Sequence, residues 1–160
     1  MKTHLSEIQL KYTGQELHSH FAYQNFNLQG DSIVAFMGPC EVNLDNLVDL
    51  EDVKKKAPIF SENMLHFIIE HFNHDLNLTI AYQRLLIDLI RQEICEEEPD
   101  LKLKRIGDDL YEDMFKMTVS IATSSPVSCL IHTGINISSK NTPVATKGLE
   151  DFKINPHALA

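Results

Sequence analysis

Phe115-Lys116-Met117-Thr118-Val119-Ser120-Ile121-Ala122 and Cys129-Leu130-Ile131-His132-Thr133-Gly134-Ile135-Asn136-Ile137 share one alternation. In the first run the odd positions are apolar and the even ones polar or small. A period of two is the mark of a strand with one face in the core. The second run repeats the parity, with His132 and Asn136 on its even face. Thr123-Ser124-Ser125-Pro126-Val127 lies between them and has the length of an antiparallel hairpin loop. Pairing residue 122 with 128 would set Thr118 opposite His132 and Lys116 opposite Gly134. One sheet face would then gather Lys116, Thr118, Ser120, His132, Gly134 and Asn136, and that face is the candidate site.

Upstream, Ser32-Ile33-Val34-Ala35-Phe36-Met37 is short, β-branched and closed by Gly38-Pro39, which reads as a strand buried on both faces. Met64 to Phe72 reads as another strand, with helix as the alternative for so short an apolar run. The strongest helix is Leu78 to Glu96. Leu78, Tyr82, Leu85 and Leu89, with Leu86, Ile90 and Ile94, form its apolar stripe, Arg84, Asp88, Arg91 and Gln92 its wet face, and Pro99 ends it. A helix is also expected within Gln15 to Leu28, stopped by Gly30-Asp31. A short amphipathic helix is expected over Leu44 to Val53, ended by Pro58.

The 160 residues suit one domain, 1–160, and 43% hydrophobic content with 23% charged residues excludes disorder, collagen and repeats. Apolar runs stop far short of the roughly 18–20 residues that cross a bilayer. The N-terminus carries no signal-like region, so a cytoplasmic location and no membrane partner are expected. Fourteen Lys and Arg against 23 Asp and Glu leave a net charge of −9, which repels phosphate backbones, so no nucleic-acid partner is expected. Lys54-Lys55-Lys56 and Lys102-x-Lys104-Arg105 each follow an acidic run and read as solvated surface.

Cys40, Cys95 and Cys129 have no C-x-x-C spacing and read as reduced thiols, with Cys129 pointing into the core. No metal is expected. His18, His20, His66, His71 and His74 supply no local spacing that puts three ligands on one face, and in a strand His66 and His71 face opposite sides.

Gly107-Asp108-Asp109-Leu110-Tyr111, Phe115-Lys116-Met117 and Gly134-Ile135-Asn136-Ile137 together resemble the ordered signature of the biotin and lipoate protein ligases. That signature runs Asn-Asp-hydrophobic-Tyr, Gly-Lys-Lys, then Gly-hydrophobic-Asn-Val. The order extends over about residues 20–157, with Ile33 to Gly38 and Glu41-Val42-Asn43 in the upstream positions. As a whole the chain resembles the family catalogued as domain of unknown function 366. Its matching phrases are Gly30 to Phe36, Met64 to Glu70, and Ser120 through Pro143.

The ligase resemblance implies an α/β (α+β) domain, with a mixed, mainly antiparallel sheet and packed helices carried on one face, the class II synthetase-like core. It implies that Asp109 matches the motif aspartate and Lys116 the lysine that holds the acyl substrate or its adenylate. The ligases have an Arg-Arg-x-x-Gly-Gly-Gly phosphate loop, whereas residues 54–63 contain no glycine, so no cofactor is expected. Octanoyl transferases of the same superfamily place a cysteine in Phe-x-x-Ile-Asn-Pro-Cys. This chain reads Phe152-Lys153-Ile154-Asn155-Pro156-His157, so His157 stands at the nucleophile's position.

Two functions are expected to compete. One is a transferase or ligase acting on a small carboxylate or acyl group, with Lys116 as electrostatic clamp, His132 or His157 as base, and Asp109 and Asn136 orienting. The other is a non-catalytic ligand-binding or assembly protein on a degenerate ligase scaffold, for which a homo-oligomer is compatible. A structural reading stands beside each residue: Lys116 as a surface lysine of a half-buried sheet, His132 as a hydrogen-bonded core histidine, Gly134 and Asn136 as strand-bending residues.

Overall fold

The computed structural model describes residues 1–43 and 59–160. The helix expected over Leu44 to Val53 lies outside them. Five strands form the main sheet in the order β1 (Lys2–Leu5), β2 (Ser32–Val42), β3 (Ile59–His71), β8 (Cys129–Asn136), β7 (Thr118–Ser124). β1 runs parallel to β2, and every other neighbour is antiparallel. A second, three-stranded sheet contains β4 (Leu103–Ile106), β5 (Asp109–Glu112) and β6 (Phe115–Lys116). The mixed, mainly antiparallel α+β architecture is the one expected.

Each face of the main sheet has its own core, because alternate residues of a strand point opposite ways. Ala35, Leu65, Phe67, Ile69, Ile131 and Ile135 pack against Ile87, Ile90 and Ile94 of the long helix α2 (Leu76–Glu97). Val34, Phe36, Met64 and Ile68 pack on the opposite face, beneath Tyr12, Phe21 and Ala22. The helix α1 (Phe21–Phe26) therefore helps to cover that face, so the helices are divided between two faces and not carried on one.

Several elements differ from expectation for local reasons. The helix expected within 15–28 shrinks to six residues, bounded by His20 (φ 67°) and Asn27 (φ 56°) in the left-handed region. The unusual backbone at His20 is held by buried Glu70, whose carboxylate oxygens both accept its N–H at 2.9 Å. Glu70 also accepts the Ser128 hydroxyl at 2.6 Å, so one carboxylate ties the entry to α1 to the β7–β8 turn.

β2 does not stop at Gly38-Pro39. It continues to Val42 through a bulge between Gly38 and Cys40. A Cβ on Gly38 would lie 2.0 Å from the Leu10 carbonyl oxygen, so the close approach of the N-terminal segment requires glycine there.

Helix α2 starts where Asp75 Oδ1 accepts the Leu78 N–H at 2.9 Å, a side-chain N-cap. Its buried positions are Thr79, Gln83, Ile87, Ile90 and Ile94, whereas Leu78, Tyr82, Leu85 and Leu89 remain exposed. The buried stripe is thus rotated from the one expected. Two polar residues can face the sheet because both are satisfied: Gln83 Nε2 donates to Asp108 and Ser120, and the Thr79 hydroxyl donates to the Asp75 carbonyl.

The register of the last hairpin decides where the candidate residues go. Ser124 pairs with Cys129, which places Thr118 opposite Ile135, Ser120 opposite Thr133 and Ile121 opposite His132. The difference from the expected register is an odd number of residues, and an odd slip moves every side chain of one strand to the other face. The expected gathering of Thr118 and Ser120 with His132 on one face does not occur. The single strand expected from Phe115 to Ala122 is also split. The Met117 N–H donates to the Leu110 carbonyl and its carbonyl accepts from the Asn136 N–H, so the chain passes from the small sheet to the large one at Met117.

Candidate functional site

Lys116 sits at the junction of the two sheets. Its strand β6 pairs with β5, setting Lys116 opposite Tyr111. On its other edge the Lys116 N–H donates to the Ala145 carbonyl and its carbonyl accepts the Lys147 N–H, forming a parallel bridge with Thr146. The backbone of this lysine is therefore held on both sides. Its ammonium lies 2.7 Å from Asp109 Oδ2, with the lysine side chain 29% and the aspartate side chain 12% exposed.

The other carboxylate oxygen of Asp109 accepts the Thr118 hydroxyl at 2.9 Å, and Thr118 Oγ1 in turn accepts the Leu110 N–H at 2.9 Å. Burial pushes the Asp109 carboxyl above its usual range, while the Lys116 ammonium and the Thr118 hydroxyl oppose the shift. The result is a cation at the sheet junction, partly open to solvent and oriented by a buried acid.

Asn136 adjoins this group through the backbone. Its N–H bonds to the Met117 carbonyl, and its side-chain amide approaches the Lys147 carbonyl at 3.5 Å. Lys147 turns the other way: its ammonium lies 5.6 Å from the Phe115 ring centroid and 5.8 Å from that of Phe152. The C-terminal Phe152 to His157 segment is thereby linked to the neighbour of Lys116. His157 itself is exposed in a 3-10 turn, Pro156–Ala158, where its N–H donates to Asn155 Oδ1. Among the described residues no hydrogen bond or ion pair joins it to Lys116, Asp109 or His132.

His132 and Gly134 lie elsewhere, in the packed face opposite α2. His132 is buried, and Tyr12 stacks on it with ring centroids 3.6 Å apart and an interplanar angle of 8°. Its Nε2 is 3.1 Å from Nδ1 of buried His66, and His66 Nε2 is 3.2 Å from the Gly38 carbonyl oxygen.

This chain assigns the tautomers. A carbonyl can only accept, so His66 Nε2 carries its proton, its Nδ1 is a lone pair, and His132 Nε2–H donates to it. Burial pushes the His66 imidazolium down to about 4. The same burial, with His66 beside it, holds His132 well below its ordinary value. Both rings are neutral and enclosed.

A Cβ on Gly134 would lie 2.9 Å from Met64 Cε, 3.2 Å from Val119 Cγ2 and 3.4 Å from His66 Nδ1, so its missing side chain accommodates these neighbours. Ser120 is on the α2 side, bonded to Gln83, the His132 carbonyl and Thr133 Oγ1.

Of the residues singled out in the sequence, side-chain bonds join Asp109, Lys116 and Thr118; Asn136 adjoins them through its backbone bond to Met117, Ser120 shares the sheet face of Thr118 but bonds Gln83, and His132, Gly134 and His157 lie apart. The sequence reading missed His66 and Tyr12 as the partners of His132, and the strand-like pairing of 145–147 that fixes Lys116. His66 carried one available signal, since it has the same parity within its strand as the apolar Met64 and Ile68.

Among the described residues no three His, Cys, Asp or Glu side chains converge as metal ligands, and no helix is long and apolar enough to cross a membrane.

The model of the family described as Domain of unknown function (DUF366) matches residues 1–160. An uncharacterized protein of Methanocaldococcus jannaschii is 44% identical over 151 residues, which cover 91% of this chain and 67% of that one. A solved protein of unknown function from Pyrococcus horikoshii superposes with a TM-score of 0.88 at 36% identity, covering 99% of this chain and 89% of that one. A putative lipoate protein ligase from T. acidophilum superposes with a TM-score of 0.62 at 12% identity, covering 99% and 81%. The latter has also been solved with lipoic acid bound. The fold is that of the biotin and lipoate protein ligases.

Proposed function

We propose, starting from the fact that this chain belongs to the DUF366 family and has the biotin/lipoate ligase fold, that it handles a small carboxylate or acyl group at Lys116, as a transferase or ligase does. One observation carries the reading: the Lys116 ammonium is held 2.7 Å from Asp109 while 29% of its side chain remains exposed. An ammonium oriented by a buried acid is a preorganised partner for an incoming anion, because little side-chain entropy is left to lose on binding. Lipoic acid, bound by a neighbour of this fold, is a ligand of that chemistry. Asn136, Thr118 and Asp109 serve this site as orienting groups.

A second reading, a binding protein that performs no step on the acyl group, is favoured by the state of His132. A general base must exchange its proton with substrate, and this ring is buried, stacked under Tyr12 and already donating to His66. His157 is then the one imidazole of the expected set that solvent reaches.

Calorimetric titration with octanoate and lipoate, against the corresponding methyl esters, tests the shared core of both readings. The carboxylates should bind and the esters should not. The Asp109→Asn/Lys116→Gln pair removes both charges and keeps a polar contact. It should weaken carboxylate binding by about 1–3 kcal/mol, the range for a charge-assisted hydrogen bond. Equal binding of acid and ester overturns the assignment. Turnover of an octanoyl thioester separates the readings, since the transferase consumes it and the binding protein does not.

A further inference from the structure

Gln83 is a long polar side chain within the buried stripe of α2, between Thr79 and Ile87, and is only 3% exposed. Helical spacing gives this position to the core, where leucine or methionine would fit as well. A buried amide is costly unless its hydrogens find acceptors. The Gln83 Nε2 carries two hydrogens, and two acceptors stand 3.0 Å away, Asp108 Oδ2 and Ser120 Oγ.

Those acceptors belong to the two segments that hold Asp109. Asp108 precedes it in the turn of the β4–β5 hairpin, beside the exposed Gly107, whose φ is +67° and where a Cβ would meet nothing within 4 Å. Ser120 lies two residues beyond Thr118 on β7, on the same face of the strand. The Thr118 hydroxyl links the segments directly, donating to Asp109 and accepting the Leu110 N–H.

Gln83 adds a second cross-link, from residue 108 to residue 120, by way of the helix. Ser120 is itself fixed to β8, where its hydroxyl donates to the His132 carbonyl at 3.2 Å and lies 2.9 Å from Thr133 Oγ1. One end of the cross-link is therefore the body of the main sheet, and the other is a surface turn.

We propose that Gln83 is a positioning residue for the Lys116 site: its amide forks between Asp108 and Ser120 and so sets where Asp109 meets the Lys116 ammonium. The inference rests on the reading of Lys116 as the anchor of a carboxylate. Adjacent acids compete for one ammonium. Gln83 engages Asp108, and Asp109 bridges Thr118 and Lys116. Without the fork the turn keeps its backbone pairing and the Thr118 link, but Asp109 shifts with the turn. A ligand then meets a less organised cation, which weakens binding without unfolding the chain.

Gln83→Met tests the assignment, because methionine fills a similar buried volume and donates nothing. Native-state hydrogen exchange on the ligand-free full chain reads the Leu110 N–H, which donates to Thr118 Oγ1. Its protection should fall at least about tenfold more than that of the β8 amides, whereas a purely structural loss lowers all of them alike. Calorimetric titration with octanoate should show a dissociation constant raised at least about fivefold.

Asp108→Ala, in the surface turn, removes one arm of the fork and remains informative should Gln83→Met misfold. It should reproduce both effects. Asp108→Asn still offers Gln83 an acceptor and should behave as the wild type. A wild type that does not bind octanoate overturns the carboxylate reading and this proposal with it. Octanoate bound alike by the wild type, Gln83→Met and Asp108→Ala overturns this proposal alone. Leu110 protection that falls only in step with β8 also overturns it. Equal losses in Asp108→Asn and Asp108→Ala overturn the fork, since the charge of Asp108 and not its bond to Gln83 is then what matters.

Discussion

Replacing Lys116 by methionine should strand the Asp109 carboxylate in a site built for an ion pair. At 2.7 Å and an effective dielectric of about 20, the gross Coulomb attraction is about 6 kcal/mol. Most of that is cancelled by taking two charges partly out of water. Exposed pairs are worth about 0–1 kcal/mol net, and removing one partner of a fully buried pair costs about 3–5 kcal/mol. With side chains 29% and 12% exposed, this pair falls between, so Lys116→Met should lose about 2 kcal/mol of stability at neutral pH.

The loss should depend on pH, and its sign follows from the direction of the Asp109 shift. Burial already raises that carboxyl above its unfolded value of 3.8, and Lys116 opposes the rise. A raised acid favours the folded state where it is protonated, so its penalty is absent below the unfolded value and appears as pH rises through the folded one. Removing Lys116 raises the folded value further. The Lys116→Met deficit should therefore be small near pH 3.8 and complete well above it.

Urea unfolding of wild type, Lys116→Met, Asp109→Asn and the double variant, at acid and neutral pH, measures the coupling. A coupling below about 0.5 kcal/mol at neutral pH, or a deficit of equal size at both, would refute the reasoning and leave Lys116 an ordinary surface residue.

The buried histidine pair predicts an acid weakness of its own. His66 and His132 are both depressed, so the stability they support is full above about 6.5 and drains away as pH falls toward about 4; His132→Gln should flatten that part of a pH–stability curve, and an unchanged slope would count against the pair. Gly38→Ala forces a Cβ onto the Leu10 carbonyl and should cost about 1–3 kcal/mol by urea unfolding; a neutral substitution would mean that the N-terminal segment is held more loosely than described. No hydroxylamine-labile acyl mass should form on the wild-type chain with an octanoyl thioester. Cys40 and Cys129 are buried and the Cys40 thiol is pushed up to about 12, so an adduct on any of the three cysteines by intact mass would restore a thiol mechanism.

What was legible in the sequence was the period within each element. β3, β7, β8 and α2 all stand close to where alternation and helical spacing put them. What was not legible was the phase between elements. Helix α2 turned its polar Gln83 inward because Asp108 and Ser120, on other segments, satisfied it, and no window of its own residues reports those partners; Thr79 beside it is satisfied within the helix by the Asp75 carbonyl.

The β7–β8 register was set by a turn shorter than composition suggests. The Ser125 N–H donates to the Ser128 carbonyl at 2.7 Å, and the Ser125 hydroxyl accepts the Val127 and Ser128 N–H groups, closing the loop within 125–128. Ser128 is further anchored to Glu70. The odd shift that results separates Lys116 from His132.

The consequence reaches the chemistry. Asp109, held between Lys116 and Thr118, is a titratable partner of the cation, while the histidine that parity alone places beside it stacks under Tyr12. Among the described residues, Asp109 is the acid that bonds the Lys116 ammonium and stands in reach of proton transfer there. A pH profile of carboxylate binding should therefore follow the Asp109 carboxyl, raised by burial, and should be untouched by His132→Gln. A profile that moves with His132→Gln would require the two faces of the sheet to communicate.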